Sequence, residues 1–343
     1  MKKICLFGIG MIFILLFASC TPPIPGPTPT PSNTPLPTYT PSPTLTSTPS
    51  ATSTPVLTAT PPANAANPCL GAPAPSQWKH VVVLMFENRS YKEVIGRAPY
   101  ITSLADKCAT APNWSDADYC VDGTLDGNYH SKPSYATLTN GLPPSIHGLT
   151  TDSYKQQTDV DNIYHQLSLA GLTFKDYYEG DPGGCEVVFD GKYHDPIRYY
   201  TNVADICSEH DVPLSTFLTD LNSGNLPVFS MIVPNNQHNM HDNSVASGDA
   251  YAQSLLDPLL NSQAYANGDL AIFFLWDEDT PIPNVILAPS IVPGTKISVS
   301  SGNPISHFSA LRTWEEMLGL PLLGDTNAAP SLLPSLEGPG PVQ

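Results

Sequence analysis

The feature that most constrains this chain is a run of seven residues, His80-Val81-Val82-Val83-Leu84-Met85-Phe86, apolar after its first member and rich in β-branched side chains. A strand with one wet face alternates apolar and polar residues. A run that does not alternate is covered on both faces, as in the middle of a parallel sheet. Similar runs recur at 228–233, 271–276 and 284–288, and stretches of helical character lie at 133–139, 162–170, 214–221, 250–260 and 308–318. Strands alternating with helices predict an α/β fold, a mostly parallel central sheet with helices on both faces. No self-similarity at solenoid periods competes with that reading. In such sheets ligands bind beyond the carboxyl ends of the strands. Glu87-Asn88 follows the first run and Asp277-Glu278 follows the third.

Only part of the 343 residues can build this body. Lys2-Lys3 and the apolar stretch 4–17 read as the start of a signal peptide, too short and too early for a membrane span. Phe17-Ala18-Ser19-Cys20 resembles the cleavage box of bacterial lipoproteins, in which Cys20 becomes the lipidated first residue. Phe17 stands where aliphatic residues are commoner, which leaves ordinary secretion as the alternative. Residues 21–68 then carry 15 of the 38 prolines and no charged side chain. Such a Thr/Pro/Ser tract lacks the apolar groups that offset chain entropy and favours extended polyproline II. The expected organisation is a lipoprotein signal peptide over 1–20, a disordered linker over 21–68 and a catalytic domain over 69–343. The protein is expected to be exported, and anchored to a membrane through Cys20 in the lipoprotein case.

The 69–343 segment holds 12 basic and 31 acidic side chains, a net charge of −19. A surface that acidic repels phosphate backbones and argues against a nucleic-acid partner. Cys69, Cys108, Cys120, Cys185 and Cys207 fall in the same segment. In an oxidising compartment local bridges Cys108–Cys120 and Cys185–Cys207 are expected, with Cys69 left over. None shows the CxxC spacing of a zinc site.

Glu87, Asn88, Asp277 and Glu278 form an all-oxygen set of the kind chosen by Mg²⁺, Ca²⁺ or Mn²⁺ rather than by zinc. Taken singly, each acidic pair reads equally as a solvated loop start; two pairs, each closing a buried strand, favour convergence. Ser131 lies just ahead of the helical stretch that Pro133 opens and Gly141 closes. Amides and the helix dipole there favour an anionic phosphate group. On the residues alone Ser131 is either a capping serine or a nucleophile. A serine hydroxyl needs a base or a metal to attack.

Ser131-x-Pro133 followed by Thr139-x-Gly141-x-x-Pro144-x-x-His147-Gly148 resembles the nucleophile segment of the alkaline phosphatase superfamily. With Glu87-Asn88-Arg89-Ser90 ahead of it, the chain is most similar to the bacterial phosphoesterase family of phospholipases C and acid phosphatases. Lys175-Asp176-Tyr177-Tyr178-Glu179, Tyr193-His194-Asp195-Pro196, Met240-His241-Asp242, Trp276-Asp277-Glu278 and Ser306-His307-Phe308-Ser309 follow in family order. The resemblance spans about residues 78–325. It implies an alkaline-phosphatase-like fold and a hydrolase of phosphoric esters. Glu87, Asn88, Ser131, Asp277 and Glu278 match metal-binding positions, Ser131 also matches the residue that becomes phosphorylated, and His194, His241 and His307 match histidines lining the phosphate pocket. His130, beside the nucleophile, is included with them. Asn236 and Asn239 replace frequent aspartates, so one divalent cation is expected and a second is doubtful. The short stretch 279–283 after Glu278 predicts a small loop at the mouth.

The expected chemistry is in-line transfer to Ser131 followed by hydrolysis of phosphoserine, with histidines stabilising charge. The short body resembles the monoesterase branch, acid phosphatases and phosphatidylinositol-3-phosphate phosphatases acting on a small phosphoester or a phospholipid headgroup. A phospholipase C-type diesterase is the alternative. A non-catalytic surface-anchored binding protein is a third reading, against which the five retained ligand positions argue. A Ser–His–Asp hydrolase of the α/β-hydrolase kind lacks its G-x-S-x-G.

Overall fold

The structure, a computed structural model, describes residues 63–153, 155–180, 185, 194–299 and 302–338. The expectations for the leader, for Cys20 and for most of the linker lie outside these residues. Residues 63–68, the end of the tract read as linker, lie against the body. Ala63 is buried, the Ala65 amide donates to Asn261 Oδ1 at 3.3 Å, and Tyr265 Oη donates to the Pro68 carbonyl at 2.8 Å.

Among the described residues, strands β1 (His80–Phe86), β2 (Phe174–Tyr178), β3 (Asp211–Pro213), β4 (Phe229–Val233), β5 (Leu270–Trp276) and β6 (Asn284–Leu287) form one sheet in the order β3-β2-β4-β1-β5-β6. Every neighbouring pair is parallel except β5–β6, which is antiparallel. β1 sits between β4 and β5, and Val81 to Phe86 are fully buried. The unbroken apolar run is thus explained by cover on both faces. Trp314, from the helix His307–Leu318, packs on Phe229 and Phe273 at centroid distances of 5.6 and 5.7 Å. Phe86, Phe274 and Trp276 meet on the opposite face, with Phe86 edge-on to the other two at 4.9 and 5.4 Å.

β2 and β3 were not among the expected strands. β2 reads Phe-Lys-Asp-Tyr-Tyr, and its buried Asp176 hides the apolar signature. Asp176 is tolerated inside because Tyr164 Oη donates to it at 3.0 Å. Its carboxyl is held well above the usual range, first by burial and then by Asp195 and Asp211.

The cysteine expectation is half corrected. Cys185–Cys207 forms, but Cys108 is bonded to Cys69, not to Cys120. Cys108 ends the helix Pro99–Lys107, close to where the body begins. There Leu70 and Ala72 donate their amides to the Pro289 carbonyl.

The helix expected from Pro133 begins two residues earlier and runs Ser131–Asn140, so Ser131 is its first residue rather than the residue before it. It ends at Gly141, whose φ of 70° closes the last turn through a bond from its amide to the Thr137 carbonyl. A Cβ at Gly141 would lie 2.8 Å from the Leu323 carbonyl and from Thr326 Cγ2. Glycine therefore lets the 323–326 turn dock on this helix end, where Asp325 donates its amide to the Gly141 carbonyl at 2.7 Å.

Candidate active site

Phe86 and Trp276 are register partners on adjacent parallel strands. The residues that follow, Glu87 and Asp277, therefore emerge side by side, and both are fully buried. Asn88 takes a left-handed turn (φ 47°), which asparagine tolerates better than most residues. That turn aims the Asn88 amide at Asp277 Oδ1, 3.1 Å away.

The Ser131–Asn140 helix delivers two hydroxyls to the same carboxylate. Ser131 Oγ donates to Glu87 Oε2 at 3.0 Å, and Tyr135 Oη donates to Glu87 Oε1 at 2.5 Å. His194 Nε2 stands 3.5 Å from Glu87 Oε2, with its ring stacked on Tyr135 at 5.7 Å. The His241 ring is 5.8 Å from that of His194, and its Nδ1 faces Asp242 Oδ1 at 2.6 Å. The His241 loop is tied to the end of β1. Glu87 donates its amide to the Asn239 carbonyl at 2.9 Å, and Asn239 Oδ1 accepts the His241 amide at 3.0 Å. Arg89 Nη2 also donates to the Asn243 carbonyl at 3.0 Å.

The remaining predicted residues sit at different depths. His307 is fully buried and donates Nε2–H to the Asp277 carbonyl at 2.8 Å, leaving Nδ1 without a hydrogen-bond partner. His307 thus buttresses the backbone of Asp277. Glu278 is half-buried and turns toward His130, an exposed residue whose Nδ1 is 3.8 Å from Glu278 Oε2. Lys132, the cation next to Ser131 in sequence, is turned away. Its Nζ donates to the carbonyls of Ser153 (2.8 Å) and Gln156, and burial lowers its pKa to about 8.

The helix start is a smaller anion seat than expected. Asp152 Oδ1 accepts the Lys132 amide at 3.0 Å and Pro133 has no N–H. Of the first three helical residues, only Ser131 keeps an amide for a substrate phosphate. Tyr135 and Asp152 had no assigned role in the sequence reading. The four-residue spacing from Ser131 to Tyr135 was the available signal, because such residues share a helix face.

The electrostatics are those of crowded acids. Burial first, then the neighbouring Asp277 carboxylate, holds Glu87 well above the usual carboxylate range. Burial also raises Asp277, while burial and then Asp277 push Glu278 up to about 9. Burial followed by the nearby His241 pushes His194 down to about 3, and burial lowers His307. Asn88 Oδ1 and Asp277 Oδ2 are buried without a hydrogen-bond partner. Adjacent carboxylates and orphaned oxygens are the chemistry of a seat for a hard cation, so these donors fit one. Among the described residues no three His, Cys, Asp or Glu side chains stand in metal-holding geometry. A cation bound to Glu87 and Asp277 would therefore depend on the Ser131 hydroxyl and the Asn88 amide oxygen to complete its shell.

Comparison with known proteins gives a consistent result. Residues 108–307 match the Phosphoesterase family. A phosphatidylinositol-3-phosphatase of Mycobacterium tuberculosis is 32% identical over 271 residues, covering 76% of this chain and 84% of the relative. A putative sulfatase from Bacteroides thetaiotaomicron superposes with a TM-score of 0.52 at 14% identity, over 76% of this chain and 75% of its own, which shows a shared fold. A Vibrio parahaemolyticus protein in the alkaline phosphatase superfamily superposes with a TM-score of 0.49 at 15% identity, over 72% of this chain and 68% of its own.

Proposed function

From the premise that this chain belongs to the phosphoesterase family and is a hydrolase of phosphoric esters, we propose that it is an exported, cation-dependent phosphomonoesterase working through a phosphoserine on Ser131. The observation that carries the reading is the Ser131 hydroxyl, buried at a helix start and bonded to a Glu87 carboxylate that crowds Asp277. Glu87, Asn88, Ser131 and Asp277 would hold the cation. When bound it would favour the ionised serine and polarise a phosphate oxygen.

The chain's own groups supply the rest. Glu87 orients Ser131 Oγ and is positioned to take its proton. The Ser131 amide, at the positive end of its helix, faces the incoming phosphate. His194 stands beside the same carboxylate, and the His241 ring lies next to that of His194. Burial keeps His194 neutral, so it can donate one N–H to phosphate without adding charge. His241, partly exposed and tied to Asp242, stands on the solvent side of His194, where a leaving alkoxide needs a proton. Attack by Ser131 Oγ on phosphorus releases the alcohol, and water then cleaves phosphoserine from the opposite face.

The name of the Mycobacterium tuberculosis relative supports a phosphorylated inositol lipid headgroup as the substrate class. Surface attachment through a lipidated Cys20 would put the body within reach of such headgroups. The test combines substrates and a variant. The wild type should hydrolyse p-nitrophenyl phosphate, lose turnover to chelator and regain it with Mg²⁺, Mn²⁺ or Ca²⁺. Ser131→Ala should lose about 10⁴-fold or more in kcat while remaining folded. Full activity in Ser131→Ala, or turnover of p-nitrophenylphosphorylcholine alone, would overturn the reading.

A further inference from the structure

The geometry assigns Tyr135 as a positioning residue that fixes the Glu87 carboxylate for cation binding; the inference rests on the reading of Glu87 as a cation ligand. Residues four apart on a helix share a face, and this helix uses that spacing to place one hydroxyl on each oxygen of a single carboxylate. Ser131 Oγ takes Oε2 at 3.0 Å and Tyr135 Oη takes Oε1 at 2.5 Å. A carboxylate held at both oxygens cannot rotate about its terminal torsion, which is otherwise broad. Each carboxylate oxygen accepts two bonds, so the clamp still leaves lone pairs on both for a cation.

Tyr135 does its work in a dry place. Tyr135 and Glu87 are both fully buried, so no solvent molecule replaces the phenol if it is removed. The same ring stacks on His194 at 5.7 Å, which couples the attitude of the carboxylate to that of a histidine lining the site. Partners that orient metal ligands are worth about 10- to 100-fold in metal affinity. A residue that merely filled the core would not move that quantity.

The experiment titrates chelator-stripped, full-length protein with Mn²⁺ by calorimetry, for the wild type, Tyr135→Phe and Tyr200→Phe. Tyr135→Phe keeps the ring and its stack on His194 and loses only the bond to Glu87. It should bind Mn²⁺ about 10- to 100-fold more weakly. Tyr200 is an equally buried phenol against the last turn of the same helix, bonded to Thr139 Oγ1 at 2.5 Å and not to Glu87. Tyr200→Phe should lower the melting temperature and leave Mn²⁺ affinity unchanged. A double-mutant cycle with Glu87→Gln should show strong non-additivity in Mn²⁺ affinity, because both substitutions disrupt one unit. Affinity in Tyr135→Phe within threefold of wild type, or an equal loss in Tyr200→Phe, would overturn the clamp and leave the reading of function intact. A wild type that binds no divalent cation would overturn both.

Discussion

Asp277 shows how much chemistry one side chain concentrates at this site. It accepts the Asn88 amide, presses its charge against Glu87, and has its own carbonyl capped by His307. Asp277→Asn keeps the acceptor for Asn88 and replaces a carboxylate oxygen with an amide nitrogen, which cannot ligate a cation. Divalent cation content by elemental analysis should therefore fall below about a tenth of the wild-type value. Unchanged metal content would remove Asp277 from the ligand set. Glu87 and Asp277 were legible in the sequence because each ends an apolar run, and the rule about strand ends needs nothing else. Tyr135 and Asp152 were not, because a tyrosine in a helix and an acid in a loop are ordinary until the fold brings them to Glu87 and to the Lys132 amide.

At the scale of elements, the Ser131–Asn140 helix and the His307–Leu318 helix are joined through the turn at 323–326. Gly141 receives that turn on one side, and Glu315 holds it on the other by accepting the Leu323 amide at 2.8 Å. Glu315 is fully buried, and burial pushes its carboxyl up to about 8. The geometry agrees with a protonated acid. Thr326 Oγ1 lies 3.0 Å from Glu315 Oε2 and 2.6 Å from the Leu323 carbonyl, so the threonine proton can go to the carbonyl while Glu315 donates to the threonine.

The folded state thus holds a proton that the unfolded chain releases near pH 4.3. Stability from this acid is complete below that pH and is lost progressively as pH rises towards 8. Glu315→Gln mimics the protonated form, so the drop in melting temperature from pH 5.5 to pH 8 should shrink by about 3 °C or more. A pH dependence identical to the wild type's would show that Glu315 is ionised in the fold. Elements were readable where one covering rule governed them, as in β1, β4 and β5. β2 escaped because Asp176 is buried by grace of Tyr164, and no local pattern encodes a partner twelve residues away on another element.

For the molecule as a whole, the −19 charge of residues 69–343 surrounds a site meant for an anion. Fixed negative charge slows the approach of a dianionic ester, and salt screens it over about 10 Å at 0.1 M. kcat/KM for p-nitrophenyl phosphate at fixed cation should therefore rise, roughly 2- to 10-fold, between 10 and 200 mM KCl. A fall over that range would mean that local positive potential at the site outweighs the global field.

The sheet order has a consequence for how such a chain comes into being. β1 is made early, yet its two neighbours are β4 and β5, whose partner residues lie some 150 to 190 positions further along. Until those later segments leave the ribosome, this strongly apolar strand has both backbone edges unpaired. Folding of this kind is slow and leaves sticky intermediates exposed. The wait before β1 can be paired on both edges is thus set by the place of Trp276 in the chain, not by the length of the body.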